Sequence, residues 1–359
     1  MTANANKGKL DYDNQLSTTQ QELELFMEEK TILITGGAGY IGTKLSHKLA
    51  AAGYFVVVYD RFFFDRPTDF PDNVRLVEGD IRNTELLRSV LAEYRPFAVI
   101  HLAAMSNDPS SDVDADLTTD VNLHGTRAVM VESKNANVSR FLYASSASVY
   151  GIKEEQDVTE MLTLEPMTLY AEYKRDGELI LNELCDDSFC GVSVRAATVC
   201  GWSPRLRLDL TVNILTSHAI ETGTIRVFGG SQMRPNIHID DLVDFYVHLL
   251  HADPKLINGE AFNVTFENAS VMGLARRVQA NIADTHIEVS PTDDLRSYHL
   301  SGAKALEVLK WRPTRTVDDA IMGLKEAWNQ GLVPDWTNDR YRNVKLLLSE
   351  PSVWKSWNR

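Results

Sequence analysis

The sequence predicts a doubly wound α/β fold, a parallel sheet with helices on both faces, followed by a smaller mixed α/β lobe. Three observations carry this expectation. From residue 31 onward, short apolar runs alternate with stretches of helical period. The first run leads at once into a glycine-rich turn, TGGAGYIG, which opens a helical stretch. After residue 200 the alternation breaks down into Pro/Arg-rich turns and amphipathic helices.

Taken in order, residues 1–29 are polar, with one amphipathic piece, QQELELFMEEK, and read as a loosely attached extension. Residues 30–200 read as the first domain, with 234–265 returning to it, and 201–359 as mainly the second lobe. TILIT (31–35), YFVVVY (54–59), VRLVEG (74–79), FAVIHLA (97–103), RFLYAS (140–145) and VSVRAA (192–197) are expected as strands. Each is a near-continuous apolar run bounded by Gly, Asp or Pro, as befits strands buried on both faces. Beyond them the expected elements are helices near 209–222 and from Asp240 to His251, a strand over EAFNVT (260–265), and helices near 302–310 and 317–330.

Composition narrows the partners. With 36 basic against 50 acidic residues, the formal charge of −14 repels phosphate backbones and argues against nucleic-acid or anionic-membrane binding. The three cysteines, Cys185, Cys190 and Cys200, suggest neither a disulfide framework nor paired zinc-ligand spacing. No apolar run has the length of a membrane span and no signal-peptide core is visible, so the expected home is a reducing cytoplasm. His248 and His251 stand i, i+3 near a helix end and read as surface residues; no metal is expected.

The glycine-rich turn is the first functional signal. Gly36, Gly39 and Gly42, with Tyr40 and Ile41 between them, allow a tight turn and let a pyrophosphate approach the positive helix N-terminus. Asp60 ends the second strand at the spacing expected of an acid that accepts hydrogen bonds from ribose hydroxyls and repels a 2′-phosphate. That favours NAD, although Arg61 beside it keeps NADP open. Asp80 and Ile81 follow the third strand, where a carboxylate can meet an adenine amino group or simply close a turn. Leu102, Ala103 and Ala104, then Ser106, leave room for a ligand to lie flat after the fourth strand. His101, inside the apolar run, reads as a core histidine.

The chemical signal comes later. SSASVYG (145–151) places hydroxyls at the carboxyl edge of the sheet, where ligands of such folds bind. YAEYK (170–174) puts Tyr170 and Lys174 at i, i+4 on one helix face, a spacing that solvated surface pairs share. Together, the glycine turn, Asp60, the strand-end serines and Tyr170-x-x-x-Lys174 resemble the extended short-chain dehydrogenase/reductase family. Within it they are similar to the NAD-dependent nucleotide-sugar epimerases and dehydratases, whose nucleotide domain is a Rossmann fold. The resemblance spans residues 30 to about 325.

The resemblance implies a catalytic set of Ser146, Tyr170 and Lys174, with Ser145 as the alternative to Ser146. A free tyrosine, with pKa about 10, is only about 0.1% ionised at neutral pH. A cation within ~4–6 Å lowers that pKa by roughly 1–3 units, which turns a phenol into a usable base. The resemblance further implies that Asn122 is a support near the active site and that Lys174 holds the nicotinamide ribose. It puts Val199 and Thr198 beside the nicotinamide and sugar, Asn213 near the substrate phosphates, and Arg234 and Arg296 on a diphosphate. Two separated guanidinium forks suit two phosphates. Arg205 and Arg207 are left open between ligand contact and lobe packing.

Departures from the family pattern are informative. Family dehydratases carry an Asp-Glu pair directly after the Ser/Thr; here those positions are Ala147 and Ser148. Family decarboxylases and 3,5-epimerases carry Glu or Cys where Ser148 stands. Reversible oxidation at one carbon needs only the Ser/Tyr/Lys set, so the expectation is a C4 epimerase acting on a nucleoside-diphosphate sugar. A C4 dehydrogenase or ketoreductase is the nearest alternative, and a non-catalytic NAD-binding regulator the more distant one. DLRSYHLSGAKALEVLKWRP (294–313) resembles a bacterial subgroup associated with surface-glycan sugars, including oxidases of nucleotide-linked heptoses. The family resemblance also implies a homodimer built on the helices that carry Asn122 and Tyr170, with Val121, Val129, Ile180 and Leu184 as apolar positions for the seam.

Overall fold

In chain order the strands are Thr31–Thr35 (β1), Phe55–Asp60 (β2), Val74–Glu78 (β3), Ala98–His101 (β4), Arg140–Ser146 (β5) and Cys190–Ala196 (β6). Then come Thr198–Cys200 (β7), Thr224–Phe228 (β8), Met233–His238 (β9), Glu260–Val264 (β10), Glu267–Ser270 (β11) and His286–Ser290 (β12). The structure is a computed structural model and describes residues 31–64, 66–292, 297, 299–333 and 335–349. The extension over 1–29 and Arg296 lie outside the described residues.

Seven strands form one parallel sheet in the order β3-β2-β1-β4-β5-β6-β10. Both faces are covered, and alternate side chains of each strand show how. Ile32 and Ile34 of β1 join one core layer with Val56, Val58, Ile100 and Leu142. Leu33 between them joins the opposite layer with Val57, Val99, Phe141 and Tyr143. That is why the strand sequences are apolar at every position instead of every second one. The chain winds outward from β1 to β3, crosses over, and winds the other way from β4, which opens a crevice between β1 and β4 at their carboxyl ends.

The second lobe holds a three-stranded sheet, β11-β9-β7, and a parallel pair, β12-β8. Helices Thr211–Thr222, Val271–Asn281 and Val317–Asn329 enclose a separate core around Leu215, Ile225, Val227, Leu274 and Ile321. The segment 234–265 is divided: β9 belongs to the small sheet, while β10 pairs with β6 in the large one. Between them, helix Ile239–His251 packs on the first helix, Tyr40–Ala51, with Lys44 on Asp240 at 2.5 Å and Lys48 on Asp244.

Two local readings change. The fourth strand ends at His101, short of the expected 103, because the chain beyond it turns into the crevice. Val129 is completely buried, and Val121, Ile180 and Leu184 are half-buried against the same layer beneath the sheet. Val129 is therefore a core residue and no part of an outward seam.

Candidate active site

The crevice is shaped by three glycines with different duties. Gly36 has φ +71°, and a Cβ there would come within 2.7 Å of the Ala103 amide nitrogen, so only glycine lets the β1 and β4 loops close. A Cβ on Gly42 would lie 2.4 Å from the Gly36 carbonyl oxygen, inside the turn itself. Gly39 is different: a Cβ there would meet only the Gly36 oxygen, at 3.1 Å, so the position stays open to the cleft.

The cleft is lined by Gly36, Gly39, Tyr40, Ile41 and Gly42 at the first helix N-terminus. Asp60, Asp80 and Ile81 line it from the β2 and β3 ends, and Leu102, Ala103, Ala104 and Ser106 from beyond β4. The Asp60 carboxylate accepts from the Ala38 amide at 3.0 Å and from the Phe62 amide at 2.8 Å, which fixes it on the wall. Burial raises its pKa, and those backbone bonds oppose the rise. Burial would also raise Asp80, but hydrogen bonds from Arg82 and Arg61 outweigh it and hold that carboxyl below its ordinary range. Arg61, the residue that kept a 2′-phosphate open, is thus engaged with Asp80 at 2.8 Å. An open glycine position, a helix N-terminus and a fixed carboxylate at the end of β2 fit an adenine dinucleotide.

Asn122 and Val199 do not line this cleft. Asn122 is buried on a π-helical turn, Thr119–Gly125, and its amide brackets Met105, accepting from the backbone nitrogen at 2.8 Å and donating to the carbonyl at 3.0 Å. It holds the loop that floors the crevice. Val199 is buried in β7, in register with Ile237 of β9.

The two serines at the end of β5 have separate fates. Ser145 is buried and its hydroxyl donates to Glu178. Glu178 also takes a forked pair from Arg195, at 3.0 Å from Nε and 2.6 Å from Nη2, and Arg195 reaches the Tyr150 hydroxyl at 2.7 Å. Ser146 is only half-buried, and its hydroxyl oxygen accepts from the Ser148 amide at 3.2 Å and the Ser148 hydroxyl at 2.9 Å.

Tyr170 is half-buried in the first turn of helix Leu169–Leu184, which Thr168 caps by accepting from the Ala171 amide at 3.3 Å. One turn later Lys174 is 4% exposed and donates to the Ala144 carbonyl at 2.7 Å. Its ammonium lies 5.7 Å from the centre of the Tyr170 ring. Burial lowers the Lys174 pKa to about 8, against the pull of Glu178. The buried cation is thus fixed to the strand end one helical turn from the phenol. His101, by contrast, lies in the core with ring nitrogens 2.6 Å from the Thr35 hydroxyl and 3.0 Å from the Thr126 hydroxyl.

Of the residues expected at the sugar, Ala147 is buried beside half-buried Ser146 and Ser148, and Thr198 is half-buried in β7. Arg234 is half-buried in β9, where one of its nitrogens donates to the Met233 carbonyl at 3.1 Å. Asn213 is fully buried and its amide is spent on the fold: it accepts from the Gly201 amide at 2.9 Å and donates to the Arg207 carbonyl at 2.9 Å and the Tyr40 hydroxyl at 3.2 Å. The turn 201–207 has backbone groups to satisfy, and Asn213 satisfies them. Arg205, Arg207, Asn343 and Leu347 line the dinucleotide cleft from the second lobe and the C-terminal helix Asn343–Ser349. Nothing in the local sequence around Asn343 signals this, because its neighbours in the cleft are far away along the chain.

The NAD-dependent epimerase/dehydratase family model matches residues 32–265. Among curated proteins, the UDP-glucose 4-epimerase of Mycolicibacterium smegmatis is 31% identical over 303 residues, covering 80% of this chain and 95% of that protein. That of Lactobacillus helveticus is 28% identical over 315 residues, with 81% and 94% covered. Among solved structures, the UDP-glucuronic acid 4-epimerase from Bacillus cereus, in complex with UDP-glucuronic acid and NAD, superposes with a TM-score of 0.74 at 26% identity. It covers 84% of this chain and 99% of that one. The UDP-glucose 4-epimerase of Thermotoga maritima shares the fold with a TM-score of 0.77 at 24% identity, with 84% and 99% covered.

Proposed function

This chain belongs to the NAD-dependent epimerase/dehydratase family, and we propose that it inverts C4 of a nucleoside-diphosphate sugar through a transient 4-keto intermediate. The observation that carries the reading is Lys174, a buried cation pinned to the end of β5 beside Tyr170, with the half-buried hydroxyl of Ser146 on the same strand end and no extra acid or base at Ala147 or Ser148.

NAD, when bound, supplies a reversible hydride acceptor. Tyr170, as phenolate, takes the proton from the C4 hydroxyl, and Lys174 stabilises the charge that this leaves on the phenol. Ser146 holds the same sugar oxygen in place. Asp60 holds the adenosine ribose and disfavours a 2′-phosphate, which selects NAD over NADP. Arg234, with Arg296, holds the substrate diphosphate. Small residues around the sugar (Ala147, Ser148, Ala196 and Ala197) leave room for the keto sugar to present its other face before Tyr170 returns the proton. The proposal includes a cytoplasmic homodimer that serves surface-polysaccharide sugar metabolism; the resemblance of residues 294–313 supports the last part.

The test is to incubate the protein with UDP-, GDP- and dTDP-sugars without added cofactor and follow products by NMR. A C4 epimer formed without net NADH supports the reading. Stoichiometric NADH with an accumulated 4-keto sugar overturns it in favour of a dehydrogenase.

A further inference from the structure

The wall of the cleft formed by the turn 201–207 carries a buried cation for which the fingerprint of the fold has no use. Arg205 is 5% exposed and lines the same cleft as Gly39, Ile41 and Asp60. Its polar contacts are neutral: the Asn343 side-chain oxygen at 2.6 Å and the Leu206 carbonyl at 3.4 Å. Its guanidinium lies over the Phe64 ring at 4.0 Å. Among the described residues no carboxylate pairs with it; the nearby Asp209 is taken by Arg207, at 2.9 and 3.1 Å. A guanidinium has five N–H donors, and a buried one with no carboxylate in ion-pair contact is costly. Burial, reinforced by the charge of Arg207, pulls its pKa down to about 9 against the opposing charges of Asp209 and Asp60.

The position of Arg205 is held from both sides. The turn that carries it is fastened to the first residue of helix Tyr40–Ala51. The Tyr40 hydroxyl donates to the Gly201 carbonyl at 2.6 Å, and the Ser203 hydroxyl donates to the Tyr40 carbonyl at 2.7 Å. From the C-terminal side, Asn343 grips Arg205 and also donates to the Ser106 hydroxyl at 2.9 Å. Besides Arg61 and Arg207, which are ion-paired, the cleft is therefore bordered by the positive N-terminus of a twelve-residue helix and by a buried guanidinium with no direct ion-pair partner among the described residues.

We propose that Arg205, held by Asn343 and Phe64, is a ligand of a diphosphate, that of the dinucleotide cofactor, and clamps it against the N-terminus of the first helix. A diphosphate also occurs in a nucleotide sugar. The cofactor is the source favoured here because Arg205 shares its cleft with Asp60 and Ile81, whereas Ser146, Tyr170, Thr198 and Arg234 do not line it. The proposal rests on this cleft being the NAD site and is independent of which sugar reaction follows. It gives the second lobe and the C-terminal helix a part in retaining a cofactor that an epimerase must regenerate in place.

The experiment measures binding, so its failure is separable from failure of the epimerase reading. Full-length protein is stripped of nucleotide, and NAD, ADP-ribose, NADP and UDP are titrated calorimetrically into wild type, Arg205→Met, Arg205→Lys and Asn343→Ala. Thermal unfolding is followed with and without NAD. Expected are a loss of thirtyfold or more in affinity for both NAD and ADP-ribose in Arg205→Met, a smaller loss in the other two variants, and unchanged UDP affinity. The Arg205→Met protein should unfold at an unchanged or higher temperature without ligand, since an unpaired buried charge is gone, while its NAD-induced stabilisation shrinks. NAD affinity within threefold of wild type in Arg205→Met overturns the proposal. If that variant does not fold, unchanged NAD affinity in both Arg205→Lys and Asn343→Ala does the same. Loss confined to UDP would assign Arg205 to the substrate diphosphate, and loss confined to NADP to a 2′-phosphate; either also overturns it.

Discussion

Single side chains make the sharpest commitments. Tyr170→Phe keeps the ring and removes the ionisable oxygen, so turnover should fall by ~10²-fold or more with substrate affinity largely kept. Steady-state kinetics on the substrate identified by the panel checks this, and near-normal turnover would remove Tyr170 from the chemistry. His101 makes a prediction about pH. Burial, helped by the charge of Lys174, lowers its pKa to about 3, below the ~6.5 of an unfolded histidine. The fold therefore favours the neutral ring. Its contribution to stability is complete above pH ~6.5 and declines as pH falls toward 3, by up to ~1.4 kcal/mol per unit. The difference in Tm between wild type and His101→Gln should be largest at pH 7 and shrink toward pH 4; parallel curves would contradict the assignment.

At the scale of elements, the first turn separates stability from binding. Gly42→Ala puts a methyl 2.4 Å from the Gly36 oxygen and 2.6 Å from the Gly37 Cα, both backbone atoms that cannot yield cheaply. It should cost ~1–3 kcal/mol of stability, as overpacking does, and weaken NAD by distorting the turn. Gly39→Ala meets a single atom at 3.1 Å and projects into the cleft, so it should weaken NAD with little change in Tm. Denaturant unfolding and NAD titration of the two variants measure both effects, and equal destabilisation would refute the distinction. A second element-level device is the helix Leu169–Leu184. The Glu178–Arg195 pair ties it to β6, while Lys174 ties it to the end of β5, so Tyr170 stands in the first turn of a helix anchored on two strands.

The whole molecule joins two lobes at the cleft. Helix Ile239–His251 and β10 bring the chain back to the large sheet, and the C-terminal helix sets Leu347 against Met105 and Leu117 beside the cleft. The proposed homodimer belongs to this scale. With Val129 in the core and Ile180 packed against the same layer, helix Leu169–Leu184 offers exposed Leu179 and half-buried Tyr173 instead. Light scattering at micromolar concentration should give twice the monomer mass, with Leu179→Glu shifting it toward monomer; a wild-type monomer at that concentration would refute the dimer.

The sequence by itself determined the fold class, the positions of its central strands along the chain, and the residue types at the glycine-rich turn. Those signals are local: a run of apolar residues, three glycines between a strand and a helix, an acid at the next strand end. What it left open was decided by contacts between distant segments. Ser145 and Ser146 are chemically alike, and only the buried Glu178 and Arg195 draw one of them into the core. Asn213 has the right chemistry for a phosphate, yet the backbone of residues 201–207 consumes its amide. Arg205 reads equally as packing or ligand until Asn343, 138 residues away, is found against it in the cofactor cleft. A polar side chain's role depends on which partners it loses to burial, and those partners are set by tertiary packing, not by neighbours in the chain.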